Sequence, residues 1–176
     1  MSFPFLVGAT SILMSERPTP EAVLNKISKY RPTIFYGVPS LYAAILDTPS
    51  LKPKSDALNL RICVSAGEAL PEEIGQQCER YFGAPILDGI GSTEMLHIFL
   101  SNTLDDVIYG SSGKPVPGYE LKLLDEQDND IGIDEIGELI VNGPSSALAY
   151  WGQKEKSRHT FRDGWTYTGD KYTMDT

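Results

Sequence analysis

The feature that most constrains this fold is a regular alternation of helical and strand patterns between Thr19 and Leu100. Apolar residues recur at helical spacing in three segments, and short runs of Ile, Val, Phe and Leu stand between them. Because strands that alternate with helices are typical of βα units, the pattern predicts an α/β lobe with a largely parallel sheet. The predicted helices begin at Pro20, Pro39 and Pro71. The predicted strands cover residues 33–36, which we expect to be a short buried strand, residues 60–64 and residues 85–87.

The last part of the chain has a different pattern, made of strands and turns. Apolar and polar residues alternate over residues 119–123, and a second apolar run covers residues 138–141. We therefore expect a β-rich lobe with the form of a partial barrel. The predicted division places the α/β lobe at residues 1–105 and the β-rich lobe at residues 106–176.

The chain is acidic, with a formal net charge of −9. A nucleic-acid partner is not expected, because affinity for a phosphate backbone comes from clustered Lys and Arg, and the sequence has no such cluster. Residues 125–130 concentrate acidic and amide side chains and invite a calcium-loop interpretation. That spacing lacks the glycine and glutamate of an EF-hand loop, so we interpret the segment as a solvated hairpin turn.

The two cysteines, Cys63 and Cys78, are too few for a disulfide framework. We interpret both as buried thiols without a catalytic role, in a protein of a reducing compartment. The most apolar segment, residues 3–14, is interrupted by Pro4 and Gly8 and is shorter than the roughly 20 residues that cross a bilayer. No basic region typical of a signal peptide precedes it. These features predict a cytoplasmic protein without a membrane span.

Three short motifs combine glycines, hydroxyls and carboxylates, at residues 65–68, 88–94 and 167–170. The first two follow predicted strands, and ligands of open α/β sheets bind at the carboxyl ends of strands. Glycine permits a tight backbone, and the polar side chains suit a nucleotide and its metal. Each motif also has a purely structural interpretation: a glycine turn before a Ser-Thr-Glu helix cap, a first-turn acid for Glu68, and a simple Thr-Gly-Asp turn.

In this order, the three motifs resemble those of the adenylate-forming acyl-CoA synthetases. Asp88 together with Ile90 is most similar to the benzoate-CoA ligase branch of that family. The resemblance covers essentially the whole chain but only about the middle third of a full family member, so the chain resembles a fragment of the large N-terminal domain. It implies an ATP-dependent aryl-CoA ligase with ATP, AMP, Mg²⁺, CoA and an aromatic carboxylate as its small-molecule partners.

The resemblance also implies roles for individual residues. Thr93 would contact the phosphate through its hydroxyl, and Glu94 would be the magnesium ligand, which makes these two the candidate catalytic residues. The implied nucleotide-binding residues are Ala66, Gly67, Glu68, Asp88, Gly89, Ile90, Gly91, Thr93 and Asp170. The implied aryl-binding residues are Tyr36, Gly37, Gly91, His97 and Ile98. Within these sets Asp88 would accept from the adenine amino group, and Asp170 would accept from both ribose hydroxyls.

Other parts of the family pattern are not found in this sequence. No Ser/Thr/Gly-rich loop ends in Pro-Lys-Gly, and the chain ends shortly after Asp170, before the family's C-terminal catalytic lysine. We therefore expect the chain alone to turn over negligibly and to self-associate through exposed edges. Two alternatives remain: a ligase for another acid, such as a medium-chain or hydroxylated aromatic one, and a non-catalytic binding or structural module.

Overall fold

The computed structural model of this protein describes residues 2–48 and 59–175. Its helices are α1 (Ser2–Leu6), α2 (Pro20–Tyr30), α3 (Pro39–Leu46), α4 (Glu72–Phe82) and α5 (Lys154–Thr160). Its strands are β1 (Ile34–Gly37), β2 (Ile62–Ser65), β3 (Ile86–Gly91), β4 (Ile98–Ser101), β5 (Lys114–Pro115), β6 (Glu120–Leu124), β7 (Gly137–Asn142), β8 (Phe161–Arg162) and β9 (Trp165–Tyr172). The α/β alternation and the β-rich region that follows it are both as predicted.

The first sheet is mixed rather than largely parallel. Its strand order is β1-β2-β3-β4-β5, with parallel pairing from β1 to β3 and antiparallel pairing from β3 to β5. The prediction of a largely parallel sheet is therefore wrong for the β4–β5 end. After β3 the chain turns back within six residues, and so short a connection permits only antiparallel pairing.

Strand β3 is also longer than predicted. We expected a strand over residues 85–87 and a loop from Asp88 onward, whereas the strand continues to Gly91. The extension exists because β4 pairs with it, with Gly89 opposite Ser101 and a register shift at Gly91. The end of β3 therefore depends on its pairing with β4, which lies later in the sequence.

The helices begin and end where local signals place them. Thr19 caps α2 by accepting a 3.3 Å hydrogen bond from the Ala22 amide, and Pro20 is its first residue. Gly83 ends α4 with a φ of 66°, a left-handed conformation that glycine adopts without strain. The longest described helices have 11 residues, and no helix within residues 2–48 and 59–175 is long and apolar enough to cross a membrane.

The helices α2, α3 and α4 pack on β1–β3 around the first core. Tyr42 and Ile45 are completely buried there, and the Tyr42 hydroxyl donates to the Val64 carbonyl at 3.0 Å. Cys63 and Cys78 are buried free thiols, as predicted. Burial raises the pKa of each thiol to about 12, so both are protonated and unreactive at neutral pH.

The second sheet is antiparallel, with strand order β6-β7-β9-β8. Its acidic turn follows β6. The Asp125 carboxylate accepts from the backbone amides of Gln127 at 2.8 Å and Asn129 at 2.9 Å, which closes the turn. The hairpin-turn interpretation of this segment is confirmed.

The second core joins the two predicted lobes. Met95 and Phe99 from the β3–β4 region pack against Leu123, Leu139 and Val141 of the second sheet. Because this core uses residues from both sides of residue 105, the division into two lobes stays a prediction. The predicted lobes also include residues 1, 49–58 and 176, which lie outside the described residues.

Candidate functional site

The carboxyl ends of three parallel strands lie at one edge of the first sheet. Gly37 of β1 is in register with Ser65 of β2, and Ser65 is in register with Asp88 of β3. The segments predicted to bind nucleotide and acid therefore start from neighbouring points, as expected for a ligand site of an α/β sheet.

Asp88 is buried between the strands, with 6% of its surface exposed. Its Oδ1 and the facing Ser65 Oγ are both buried and have no hydrogen-bond partner among the described residues. Burial raises the pKa of the Asp88 carboxyl, and the nearby Ser65 hydroxyl and the backbone amides of Gly89 and Leu70 oppose that rise. Buried polar atoms are almost always paired, so two adjacent orphan oxygens indicate a place where a ligand or water supplies the partner.

The glycines of β3 are required by the neighbouring strand. A Cβ on Gly89 would lie 2.7 Å from the Leu100 carbonyl oxygen, and one on Gly91 would lie 2.5 Å from the His97 carbonyl oxygen. Both distances are shorter than real Cβ contacts permit. The β4 backbone alone is therefore sufficient to require glycine at position 91.

The loop between β3 and β4 is a turn without a helix, so the helix-cap interpretation of this motif is wrong. Ser92 Oγ accepts from the Met95 amide at 3.2 Å, and Leu96 has a φ of 72°. A left-handed Leu interrupts any helical run. Thr93 and Leu96 are exposed at the surface of this turn.

Glu94 is held by a residue far away in the sequence. The Tyr150 hydroxyl donates to Glu94 Oε1 at 2.5 Å. This hydrogen bond, with smaller help from the charge of Lys156, lowers the pKa of the Glu94 carboxyl. Glu94 is therefore ionised at neutral pH, with one carboxylate oxygen already engaged by Tyr150.

The backbone of the same turn is fixed by the segment after β7. The Ala147 amide donates to the Glu94 carbonyl at 2.7 Å, and the Ser145 hydroxyl donates to the Met95 carbonyl at 2.6 Å. Together with Tyr150, these contacts join the end of β3 to the second sheet. We call residues 143–153 the clamp segment.

His97 has hydrogen bonds at both ring nitrogens. Nδ1 lies 2.6 Å from the Ile98 carbonyl oxygen, and Nε2 lies 2.9 Å from the Tyr119 hydroxyl oxygen. The Tyr119 oxygen also lies 2.6 Å from Ser145 Oγ. The ring is thus connected to the clamp segment through Tyr119.

An open groove of about 390 Å³ lies in front of these loops. It brings together residues predicted to bind the nucleotide and residues predicted to bind the acid, and adds two residues to which no binding role was assigned. Its lining is Ala66, Gly91, Ser92, Thr93, Leu96, His97 and Ile98. These two residues are Ser92, which lies within the second motif, and Leu96.

Other predicted site residues lie outside the lining of this groove. Tyr36 is 62% exposed on a strand that we expected to be buried, because β1 is the first strand of the sheet and its outward side chains meet solvent. Gly37 packs on the Tyr42 ring. The exposed Glu68 accepts from the Ser40 hydroxyl at 3.2 Å, at the start of α3.

Asp170 lies on β9 in the second sheet, and its carboxylate is exposed. Gly169, with a φ of 79°, and Thr168, whose hydroxyl donates to the Leu139 carbonyl at 2.7 Å, fix the turn before it. The Asp170 amide donates to Thr168 Oγ1 at 3.1 Å. The motif is a local irregularity within a strand, and it presents the carboxylate to solvent.

Three contacting residues were missed by sequence reasoning: Tyr119, Ser145 and Tyr150. Tyr119 was predicted only as one of the alternating residues of a strand. Ser145 and Tyr150 contact residues 50 and 56 positions away, and no local pattern signals such contacts.

Comparison with known proteins fits this geometry. Residues 1–151 match the AMP-binding enzyme family. The chain belongs to that family. The predicted resemblance to adenylate-forming enzymes is therefore confirmed.

The relatives of this AMP-binding chain include aryl-CoA ligases. It is 57% identical to the benzoate–CoA ligase of Thauera aromatica over 98% of this chain and 33% of that protein. It is 48% identical to the 4-hydroxybenzoate–CoA/benzoate–CoA ligase of Rhodopseudomonas palustris, over 98% of this chain and 32% of that protein. The chain thus spans about a third of the length of these relatives.

A solved structure agrees with the fold. The benzoate CoA ligase of Burkholderia xenovorans LB400 matches with a TM-score of 0.95 and 54% identity, over 98% of this chain and 35% of that one. The predicted fold class, an α/β lobe followed by a β-rich lobe of an adenylate-forming enzyme, is confirmed.

Proposed function

We propose that this chain forms the nucleotide- and aryl-binding part of an ATP-dependent aryl-CoA ligase. In the first step a carboxylate oxygen of an aromatic acid attacks the α-phosphorus of ATP, and pyrophosphate leaves. In the second step the CoA sulfur attacks the acyl carbon, AMP leaves with the bonding electrons, and the thiol proton is released to water. Neither step needs a nucleophile from the protein, so the protein contributes positioning and electrostatics.

The observation that carries this proposal is the composition of the groove. Ala66 and Thr93, assigned to the nucleotide, share one surface with His97 and Ile98, assigned to the acid. An acyl-adenylate has its nucleotide and acyl parts joined at one phosphorus, so a site for it must accept both at once. High identity to two benzoate-activating ligases supports an aromatic acid as the substrate.

The buried edge of the sheet suits adenine. Asp88 has an acceptor oxygen without a partner, and the adenine amino group is a donor. Ala66 and Gly67 follow β2, and Gly89–Gly91 continue β3 beyond Asp88, so the chain next to this position has small side chains and one aliphatic, Ile90. We assign the adenine contact to this group of residues.

Glu94 fits a magnesium ligand on chemical grounds. Mg²⁺ in nucleotide sites is held by oxygen ligands, usually one or two carboxylates together with phosphate oxygens and water. Glu94 is ionised, and Tyr150 occupies only one of its oxygens. The ion would neutralise phosphate charge, while the Thr93 hydroxyl would donate to a phosphate oxygen.

The remaining assignments are outside the groove lining. We assign the ribose hydroxyls to the exposed carboxylate of Asp170, with Glu68 near the adenine, and the mouth of the aryl site to Tyr36 and Gly37. The two buried free thiols suit the reducing cytoplasm. Self-association stays a prediction, and sedimentation of the chain over a concentration series tests it.

Calorimetric titration with non-hydrolysable acyl-adenylate analogues tests the proposed function. The chain is expected to bind a benzoyl-adenylate analogue more tightly than a decanoyl one. Asp170→Ala is expected to weaken binding of the benzoyl analogue about tenfold, the effect of losing roughly 1.4 kcal/mol. Asp105→Ala removes the same charge from an exposed position and serves as the matched control.

The outcomes separate the proposal from its rivals. Absence of heat with both analogues would count against a binding site in this chain and favour a structural module. Tighter binding of the decanoyl analogue would favour a ligase for a medium-chain acid. Tighter binding of a 4-hydroxybenzoyl-adenylate analogue than of the benzoyl one would favour a ligase for a hydroxylated aromatic acid.

A further inference from the structure

His97 lines the groove but has no free nitrogen to offer. Nδ1 faces the Ile98 carbonyl at 2.6 Å and Nε2 faces the Tyr119 hydroxyl at 2.9 Å. A carbonyl oxygen is only an acceptor, so Nδ1 carries a hydrogen. In the neutral ring Nε2 is then the acceptor, and the Tyr119 hydroxyl donates to it.

The contact between Tyr119 and His97 survives if the ring gains a proton, with its direction reversed. In the neutral form the hydrogens of Tyr119 and Ser145 go to Nε2 and to the Met95 carbonyl, which leaves none between the two hydroxyls. In the protonated form Nε2 would donate to the Tyr119 oxygen, Tyr119 to Ser145 Oγ at 2.6 Å, and Ser145 to the Met95 carbonyl at 2.6 Å. Every contact in this series then has one hydrogen. Both ring nitrogens are therefore occupied by protein partners in either form.

The ring also has aromatic neighbours. The Tyr119 ring meets it edge-on with centroids 5.6 Å apart, and the Phe3 ring does so at the same distance. These contacts fix the imidazole plane as aromatic packing does. His97 therefore has no ring nitrogen free for a group in the groove.

We infer that Tyr119 is a specificity-determining positioning residue, which occupies His97 Nε2 and thereby favours an unsubstituted aromatic acid over a ring-hydroxylated one. A ring hydroxyl placed against the imidazole finds no hydrogen-bond partner at either ring nitrogen, whereas a plain ring needs none. The inference rests on the proposed function, because it concerns the acid that the groove accepts.

The test compares binding of benzoyl- and 4-hydroxybenzoyl-adenylate analogues to the 176-residue chain by calorimetry. The wild type is expected to prefer the benzoyl analogue. Tyr119→Phe keeps the ring that packs on Gly143 and removes only the hydroxyl, which frees Nε2. The ratio of the two dissociation constants is expected to shift about tenfold toward the hydroxylated analogue.

Two further variants test whether the change in the ratio of the two dissociation constants is specific to the Tyr119 hydroxyl. Tyr109→Phe removes a hydrogen-bonded hydroxyl from the first core, away from the groove, and its ratio is expected to equal that of the wild type. Ser145→Ala leaves the contact between Tyr119 and His97 in place, so its ratio is also expected to stay near wild type. An equal loss of affinity for both analogues in Tyr119→Phe would overturn the inference, as would a Ser145→Ala shift as large as that of Tyr119→Phe.

The hydrogen bond between Tyr119 and His97 can also be tested by NMR in the absence of a ligand. The chain has only two histidines, and the exposed His159 is an internal reference for the ¹⁵N signals of the imidazole nitrogens. Tyr119→Phe is expected to move the Nε2 signal of His97 and leave His159 unchanged. An unchanged His97 signal would overturn the inference alone, whereas a wild type that binds neither analogue would overturn the proposed function and this inference with it.

Discussion

The loops that follow β2 and β3 lie side by side at one edge of the sheet but are held in different ways. Among the described residues, the side chains of the β2 loop make one exposed hydrogen bond, which Glu68 accepts from Ser40. The β3 loop is fixed by three hydrogen bonds from the clamp segment, which begins about 50 residues later. The segment with the candidate phosphate and metal ligands is thus the one whose geometry depends on the second sheet.

The largest loss in the free energy of unfolding is expected from a substitution that crowds the β3 loop. Gly91→Ala places a Cβ 2.5 Å from the His97 carbonyl, and backbone cannot move aside as a side chain can. We expect a loss of about 3 kcal/mol in the free energy of unfolding, measured by urea denaturation. Gly67→Ala in the β2 loop meets only Val38, at 3.9 Å, but has a φ of 96°, so we expect a loss of about 1 kcal/mol.

Gly132→Ala is the control for both glycines. It has open space around it and lies in a turn outside the site. Its free energy of unfolding is expected to stay within about 0.5 kcal/mol of the wild type. Equal losses for Gly91→Ala and Gly67→Ala would show that the two loops are constrained alike, against the comparison drawn above.

A smaller effect is expected from removal of a clamp contact. Ser145→Ala leaves the Met95 carbonyl without its partner and is expected to cost about 1–2 kcal/mol. Ser40→Ala removes the exposed contact of the β2 loop and is expected to cost less than about 0.5 kcal/mol. Urea denaturation of the two variants side by side measures the difference, and a costlier Ser40→Ala would reverse the order of the loops.

The smallest effect concerns the ionisation of Glu94. Tyr150→Phe removes the hydrogen bond that lowers the pKa of the Glu94 carboxyl, so that pKa is expected to rise, as measured by carboxyl NMR during an acid titration. A lowered pKa in the folded state stabilises the fold above the ordinary glutamate pKa, and this contribution is lost as the pH falls through the folded-state value. The stability difference between wild type and variant should therefore be present at neutral pH and shrink in acid.

Tyr30→Phe, at an exposed position on α2, is the matched control for this titration. It should leave the Glu94 titration unchanged. A Tyr150→Phe variant with the wild-type Glu94 titration would mean that this clamp contact does not act on the carboxylate in solution.

Local signals were sufficient for much of the fold. The cap at Thr19, the left-handed Gly83 and the alternation along β6 act within a few residues, and each predicted element formed. The errors have a common cause. The length of β3, the mixed sheet and the exposed Tyr36 depend on which strand pairs with which, and the local sequence does not encode the partner.

The candidate site was predictable to a similar limit. The motifs and the family resemblance pointed to Thr93, His97 and Ile98, which share one groove, and their binding roles stay predictions. They did not identify Tyr150 or Tyr119, because each acts through a contact that closes only when the two sheets pack together. Neither the composition nor the local spacing of residues predicts that Tyr150 contacts Glu94 or that Tyr119 contacts His97.

The buried cysteines make it possible to measure how often the first core unfolds locally. Cys63 and Cys78 are the only thiols in the sequence, and both lie in the first core. A thiol that is shielded and protonated reacts with an alkylating reagent only after the surrounding helices separate. The labelling rate therefore reports the frequency of local unfolding in the α/β layer, without any introduced probe. Because the second sheet has no cysteine, the rate does not include unfolding of that sheet.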